Sequence, residues 1–490
     1  MNQRQVTKAL AGLLPGMFVA VLAANIVAAA LPTIMRALHA GQTVYTWTVV
    51  ATLLAATVAT PVWGKLADLT SKRTLVQIAL LVFSLGTLGS GFAQNPEMLL
   101  VSRVIQGIGS GGMMALAQII MAAMIPPRER GRYSGYLGAV LALATVAGPL
   151  VGGLIVDTSW LGWRWVFFVS VPIALASLVV LRRTLHLPAS SHEVRVDWAG
   201  VTLITAAVSL LLIWVSFAGD AYDWLSWQTA VMAGGAVVLA VLFVAVEARA
   251  AEPIIPLRLF RDRIVSLSAA ASLLIGMAMF GVPTFLSQYF QMARGQSPTA
   301  AGLSTLPMIV GLLIGSTGSG RLITRTGHWK VFLVAGSASL AVGLALLGTD
   351  RYDTAYWQLA VGMLLVGAGV GMTQQNLVLA VQNRVTSGDL GAASSSVSFF
   401  RSLGGALGLG VLGAVLSHRI AAYATEGAGR QAAYGHGLAD LFLYMAPAVV
   451  LSLLAVLAIR EVPLRMAGGP AEDSRPSHGR HARRGNSATP

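Results

Sequence analysis

The side chains that could titrate near neutrality or ligate a metal are few: 19 Asp and Glu and 8 His, with no Cys at all. No histidine cluster or HExxH pairing marks a metal site, and no Walker-type loop is present to hold a nucleotide. "GIGSGG" (107–112) fits the dinucleotide fingerprint in letters, but that fingerprint must follow a strand and this one lies inside an apolar run. No metal, cofactor or enzymatic activity is therefore expected. The chemistry on offer is polar groups set into apolar runs. Arg103, Arg401 and the stretch "TQQN" (373–376) are such groups, and "GAVLALATVAGPLVGG" (138–153) sets four glycines and a proline in another run. In a soluble helix Gly costs about 1 kcal/mol and Pro about 3 kcal/mol, so the last stretch requires a reason.

The elements that position these groups are membrane helices. The sequence is 56% hydrophobic and 11% charged, against about 25% charged in soluble domains, and its mean hydropathy is +0.72. Apolar blocks of about 20 residues, the length that crosses a bilayer, predict fourteen spans: 12–35, 46–66, 74–94, 98–121, 134–157, 164–182, 198–218, 228–248, 264–290, 300–320, 329–348, 354–378, 396–417 and 439–460. With the N-terminus inside, 25 Lys and Arg fall on inner segments and 6 on outer loops, as the positive-inside rule demands. Both ends are then cytoplasmic and the protein is a multi-pass resident of the cell membrane. The +14 net charge faces one side of that membrane and calls for no nucleic acid. The Pro/Gly/Ser-rich end, 463–490, reads as a disordered tail.

Two halves repeat. "GKLADLTSKR" (64–73) returns as "GRLITRTGHWK" (320–330), 256 residues on; "GIGSGGM" (107–113) returns as "GAGVGMT" (367–373), and "PPRERG" (126–131) as "TSGDLG" (386–391), each 260 residues on. Equal direction and near-equal offset point to parallel duplicated halves. The domains expected are a six-helix bundle (1–185), an insert of spans 7 and 8 (186–250), a second six-helix bundle (251–462) and the tail.

Four motifs in order, "ANIVAAALPTI" (24–34), "GKLADLTSKR", "RVIQGIGSGG" (103–112) and "GPLVGG" (148–153), resemble the fourteen-span drug:proton antiporter family of the major facilitator superfamily. The resemblance implies an all-α fold of two six-helix bundles plus two inserted helices. It implies a switch and gating role for Gly64, Asp68, Arg73, Gly148, Pro149, Gly152 and Gly153. Gly64 would let span 2 approach the other half, bringing Asp68 to the positive N-terminus of span 13; the plainer reading is a solvated loop carboxylate. Gly148, Gly152 and Gly153 would form a smooth surface, bent at Pro149, between the halves, or serve ordinary close packing.

The resemblance also places the cavity on the first and fourth helix of each three-helix unit, spans 1, 4, 9 and 12. The cavity candidates there are Asn25, Gln106, Met113, Gln118, Phe280, Gln288, Tyr289, Gln374, Gln375 and Asn376, with Met114, Met277 and Met279 as softer members. Arg103 is expected to relay protons or contact span 1, or to snorkel outward. Arg401 is expected about one turn from the inner face. The family's usual span-1 Asp is replaced by Ala23, Ser71 stands where Gly is expected, and Leu69 where a base is common. No carboxylate then lies at mid-membrane; Asp157, near Arg103, is the remaining coupling candidate. Without a deep anionic site, neutral or weakly charged cargo is expected.

The function expected is proton-driven export of lipophilic compounds (drugs, antibiotics or lipid-like metabolites) by a monomer in contact with membrane lipid. A uniporter, importer or lipid translocator of the same fold stays open. A polytopic enzyme or sensor would require charged or metal-binding constellations at the membrane face.

Overall fold

The computed structural model describes residues 3–464 apart from 159, 186–196 and 220–221; at a few helical positions, Asp157 among them, only the backbone is described. The tail expected from 463 lies outside the described residues from 465 on.

Fourteen helices are long and apolar enough to cross a membrane: α1 (Gln5–Ala37), α2 (Trp47–Leu69), α3 (Lys72–Gly91), α4 (Pro96–Met124), α5 (Pro127–Val156), α6 (Trp165–Thr184), α7 (Trp198–Phe217), α8 (Trp227–Glu247), α9 (Arg263–Ala293), α10 (Thr299–Thr326), α11 (Lys330–Leu347), α12 (Tyr356–Arg384), α13 (Leu390–Thr425) and α14 (Arg430–Ala458). No strand occurs among the described residues, where Ala218 and Tyr222 form one isolated bridge. The helices start on side-chain caps where the loops supply them. Asn95 accepts from the Met98 amide at 2.8 Å, and Asp262 from the Ile264 amide at 2.8 Å. Each satisfies one orphan N–H. Ser71, which stands in place of an expected glycine, is the N-cap of α3.

The largest departure from expectation is α13, which begins at Leu390 rather than near 396 and runs on to Thr425. Its first turns, "LGAASSS", read as loop because serine competes for backbone bonds. Here the hydroxyls bond back within the helix, Ser394 to the Leu390 carbonyl at 2.7 Å and Ser396 to that of Ala392 at 2.6 Å.

The packing repeats as the motifs do. In the first six helices α1 lies on α5 and α6, and α4 on α2 and α3; in the last six α9 lies on α13 and α14, and α12 on α10 and α11. The bundles meet along two related seams, α2 with α13 and α10 with α5. The insert is not central: α7 packs on α8 and lies against α2 and α13, while only 11% of the most apolar stretch of α8 is buried within the protein. Val58, Ile204, Val208, Phe243, Phe399 and Leu403 share one apolar cluster there. The loops that carry most Lys and Arg share one end of the molecule, called below the basic face; the other end is the far face.

Candidate functional site

At the basic face the two seams close on glycine. Where α2 crosses α13, a Cβ on Gly64 would stand 2.8 Å from the Gly391 carbonyl oxygen and collide with Ser395 Oγ; a Cβ on Gly391 would stand 2.6 Å from Asp68 Oδ1. Asp68 lies one turn after Gly64. Its Oδ1 accepts from the Gly391 amide at 2.7 Å and its Oδ2 from the Ala392 amide at 2.8 Å. These amides are the orphan donors of the first turn of α13. A carboxylate there gains both charge-assisted bonds and the helix dipole. Lys65 pairs with Glu252, just beyond α8, at 2.5 Å. Arg73 is not part of this contact: it donates to the Arg182 carbonyl at 2.5 Å, at the end of α6 in its own bundle.

Where α10 meets α5, a Cβ on Gly131 would stand 2.5 Å from the Gly320 carbonyl oxygen, and one on Gly320 would strike the Gly131 carbonyl. Beside this crossing Arg130 spans the bundles, with Nη1 donating to Gln382 Oε1 at 3.2 Å, while Nη2 and Nε donate to the carbonyls of Ala122 and Ile125. Deeper in, Ser398 donates to Gln118 Oε1 at 3.0 Å. At the far ends of α5 and α10 contact is looser: Cβ atoms on Gly153 and Gly302 would stand 3.6 Å from Thr299 Oγ1 and Pro149 Cβ.

Between the bundles lies a cavity of about 390 Å³, within the range of small-molecule sites. Its lining is largely apolar, with Met114, Met279, Phe280, Pro283, Met308 and Leu312 among its members; its larger polar groups are Asn25, Arg103, Gln374 and Arg401, joined by hydroxyls such as those of Thr52, Ser398 and Ser402. Helices α1, α2, α4, α5, α9, α10, α12 and α13 all contribute, so the cavity is not confined to first and fourth helices.

Of the ten cavity candidates, Asn25, Phe280 and Gln374 line it. Gln106 does not: its amide donates to Thr87 on α3 at 3.0 Å and its oxygen accepts from Arg103. Met113 is fully buried in the first bundle against Gly16. Gln118 is held in the contact with Ser398. Asn376 donates to Ser319 Oγ at 3.3 Å and the Met372 carbonyl at 2.6 Å, and Gln375 is buried outside the lining with its amide nitrogen unpartnered. Successive helical residues point about 100° apart, so the run 373–376 cannot all face one cavity.

Gln288 and Tyr289 lie at the far end of α9. The Tyr289 hydroxyl donates to the Arg351 carbonyl at 2.5 Å and accepts from Arg294, and the helix there opens into a π turn over Tyr289–Ala293. Nearby, between α11 and α12, burial pushes the Asp350 carboxyl up to about 7, against the opposing pull of Arg294 and Arg351.

Three further expectations are corrected. Gly148 and Gly152 face α1 of their own bundle, where Cβ atoms would collide with Asn25 Cβ and stand 2.9 Å from the Ile26 carbonyl; Pro149 and Gly153 alone face the other bundle. The repeat shows why: Gly408, 260 residues on, meets Met277 of α9 in the same way. Arg103 contacts α2, not α1, donating to the Thr48 carbonyl at 3.5 Å and to Gln106. Arg401 is eleven residues into α13, about 16 Å at 1.5 Å per residue, and lines the cavity instead of reaching the interface. The Asp157 side chain lies outside the described residues, and its backbone stands at the far end of α5.

The profile of the Major Facilitator Superfamily matches residues 13–409. An uncharacterised MFS-type transporter of Mycobacterium tuberculosis is 37% identical over 94% of this chain and 70% of its own length. Multidrug transporter protein MdtP of Bacillus subtilis is 35% identical over 85% of this chain and 76% of its own. Among solved structures, the proton:xylose symporter XylE aligns with a TM-score of 0.64 at 15% identity, covering 91% of this chain and 95% of that one.

Proposed function

Because this chain belongs to the Major Facilitator Superfamily, a family of membrane transporters, we propose that it exports lipophilic compounds by alternating access. The observation that carries this reading is the apolar cavity between the bundles, closed over by close crossings at the basic face. Glycine crossings, Asp68 and Arg130 close the basic face, whereas the far ends of α5 and α10 make ordinary contact. Positive-inside orientation puts the basic face in the cytoplasm of a cell-membrane protein, so the close crossings lie on the cytoplasmic side of the cavity. Met and Phe in the lining suit a pocket that repacks around varied apolar cargo. MdtP, which is named a multidrug transporter, supports the same reading. The protein acts as a monomer in contact with lipid.

Proton influx is the proposed energy source, with Arg103 and Asp157 as the coupling groups. A second reading, transport without proton antiport, is favoured by one observation: no carboxylate stands among the described lining residues. Vesicles of pure protein, offered a panel of neutral and charged lipophilic compounds, separate the two. Antiport predicts proton movement opposite to cargo and its loss in Asp157→Asn. Cargo flux with no proton movement establishes the second reading, and no flux of any compound removes export.

A further inference from the structure

The cavity has a charge balance that the export reading leaves unexplained. Its described lining holds two guanidinium groups and no carboxylate. Arg103 is held by the Gln106 side-chain oxygen. Arg401 is only 4% exposed, yet its side chain makes just two long bonds to neutral acceptors. Nη1 donates to the Gln374 carbonyl at 3.5 Å and Nη2 to Ser398 Oγ at 3.2 Å. It has no acidic partner among the described residues. Beside it the Gln374 side-chain nitrogen is buried with no acceptor. Donor capacity thus exceeds acceptor capacity at one point of the cavity wall. A buried cation left in this condition is costly unless something pairs with it.

The fold does not require a cation at this place. In the duplicated half the corresponding residue, 260 positions earlier, is Leu141, which also lines the cavity. Arg401 is therefore a feature of one half, added where cargo would lie. A guanidinium fork matches a planar or tetrahedral oxyanion. The neighbouring surface of Met279, Phe280 and Leu312 suits an apolar body and gives a small hydrated anion nothing to bind. The expectation of neutral or weakly charged cargo rests on the lack of a deep anionic site; the early start of α13 places a deep cation in the cavity instead.

We propose that the cavity takes amphiphilic monoanions, a carboxylate or sulfonate pairing with Arg401 and the Gln374 amide while the apolar body lies against Met279, Phe280 and Leu312. This deepens the export reading and rests on it for the direction of transport. An anion leaving a cell with a negative interior is driven outward by the membrane potential, so such cargo needs no lining carboxylate to balance its charge.

The test uses three dansyl-tagged probes with one medium-length alkyl chain: the carboxylic acid, its methyl ester and the corresponding amine. Binding is measured on the full chain in detergent and transport in vesicles of the same protein. The acid should bind best. Arg401→Gln should weaken acid binding on the order of tenfold, the loss of one charged hydrogen-bonded partner, and leave ester binding within about twofold; Arg401→Lys should keep part of the acid preference. Equal binding of acid and ester by the unsubstituted protein, or preference for the amine, overturns the inference without touching export and requires no variant. Selective acid binding with no transport of any probe supports the inference and removes export instead. Ester binding reports whether Arg401→Gln is folded, and an undiminished acid preference in a folded Arg401→Gln overturns the assignment of Arg401.

Discussion

The two seams that close the basic face descend from one duplicated contact, yet they are built differently. Gly64 on Gly391 and Gly320 on Gly131 are the same crossing repeated, each with Cβ positions that leave no room for a side chain. At the α2/α13 crossing Asp68 follows one turn later and takes two peptide amides. At the α10/α5 crossing the corresponding residue is Thr324, whose hydroxyl donates to the Gly320 carbonyl of its own helix at 2.9 Å. The reason lies in the receiving helix. Gly391 and Ala392 open α13, so their N–H groups lack intrahelical acceptors. Gly131 is the fifth residue of α5, where the N–H already has its i−4 carbonyl. A carboxylate at 324 would find no free peptide amide. Duplication thus supplied close approach on both sides, and the charged latch exists where a helix happens to begin.

Three sets of substitutions would break or sharpen that contrast. The largest effect belongs to the shared part. Gly64→Leu or Gly320→Leu should each oppose the closed basic face by about 1–3 kcal/mol, as overpacking does. Either should sharply reduce transport and raise labelling of a single engineered cavity cysteine from the basic side. Wild-type labelling in both would mean that the glycines do not hold the face shut. Next, Asp68→Asn should weaken closure by about 1–2 kcal/mol through loss of the charge at the α13 terminus, while Thr324→Asp should neither strengthen closure nor rescue Asp68→Thr. Rescue by the swapped pair would refute the account of where the donors are. The smallest effect is expected for Lys65→Ala. Its partner Glu252 is partly exposed, so about 1 kcal/mol or less is at stake, with a correspondingly slight change in labelling.

Much of this architecture was legible without coordinates. Fourteen apolar blocks are hard to misread, and the repeated Gly-base-Leu and terminal Gly motifs fall on residues that meet: 64 with 391 and 320 with 131. Asp68 was readable through the family resemblance, with the affinity of a helix start for a carboxylate as its physical basis. Rotation about a helix axis was not readable. An error of two residues turns a side chain by about 200°, enough to take Gln106, Met113 and Asn376 out of the lining and to leave Gln374 in it. Nor could the run of serines at the start of α13 announce that the helix had already begun, and with it the depth of Arg401. Which neighbour a glycine meets also needs three dimensions: Gly148 turns out to face α1 within its own bundle.

The inserted pair bears on how the α2/α13 seam opens. Val58 and Phe399 sit under α7 in one apolar cluster, so parting the bundles must divide that cluster, and α7 with α8 can travel with only one side. The newly bared surface there would be wetted by acyl chains, not water. Hydrocarbon solvates Val and Phe about as well as another helix does, so this edge can come apart with little hydrophobic penalty. Bilayer thickness and chain order, through their grip on α8, then become part of what sets the resting equilibrium.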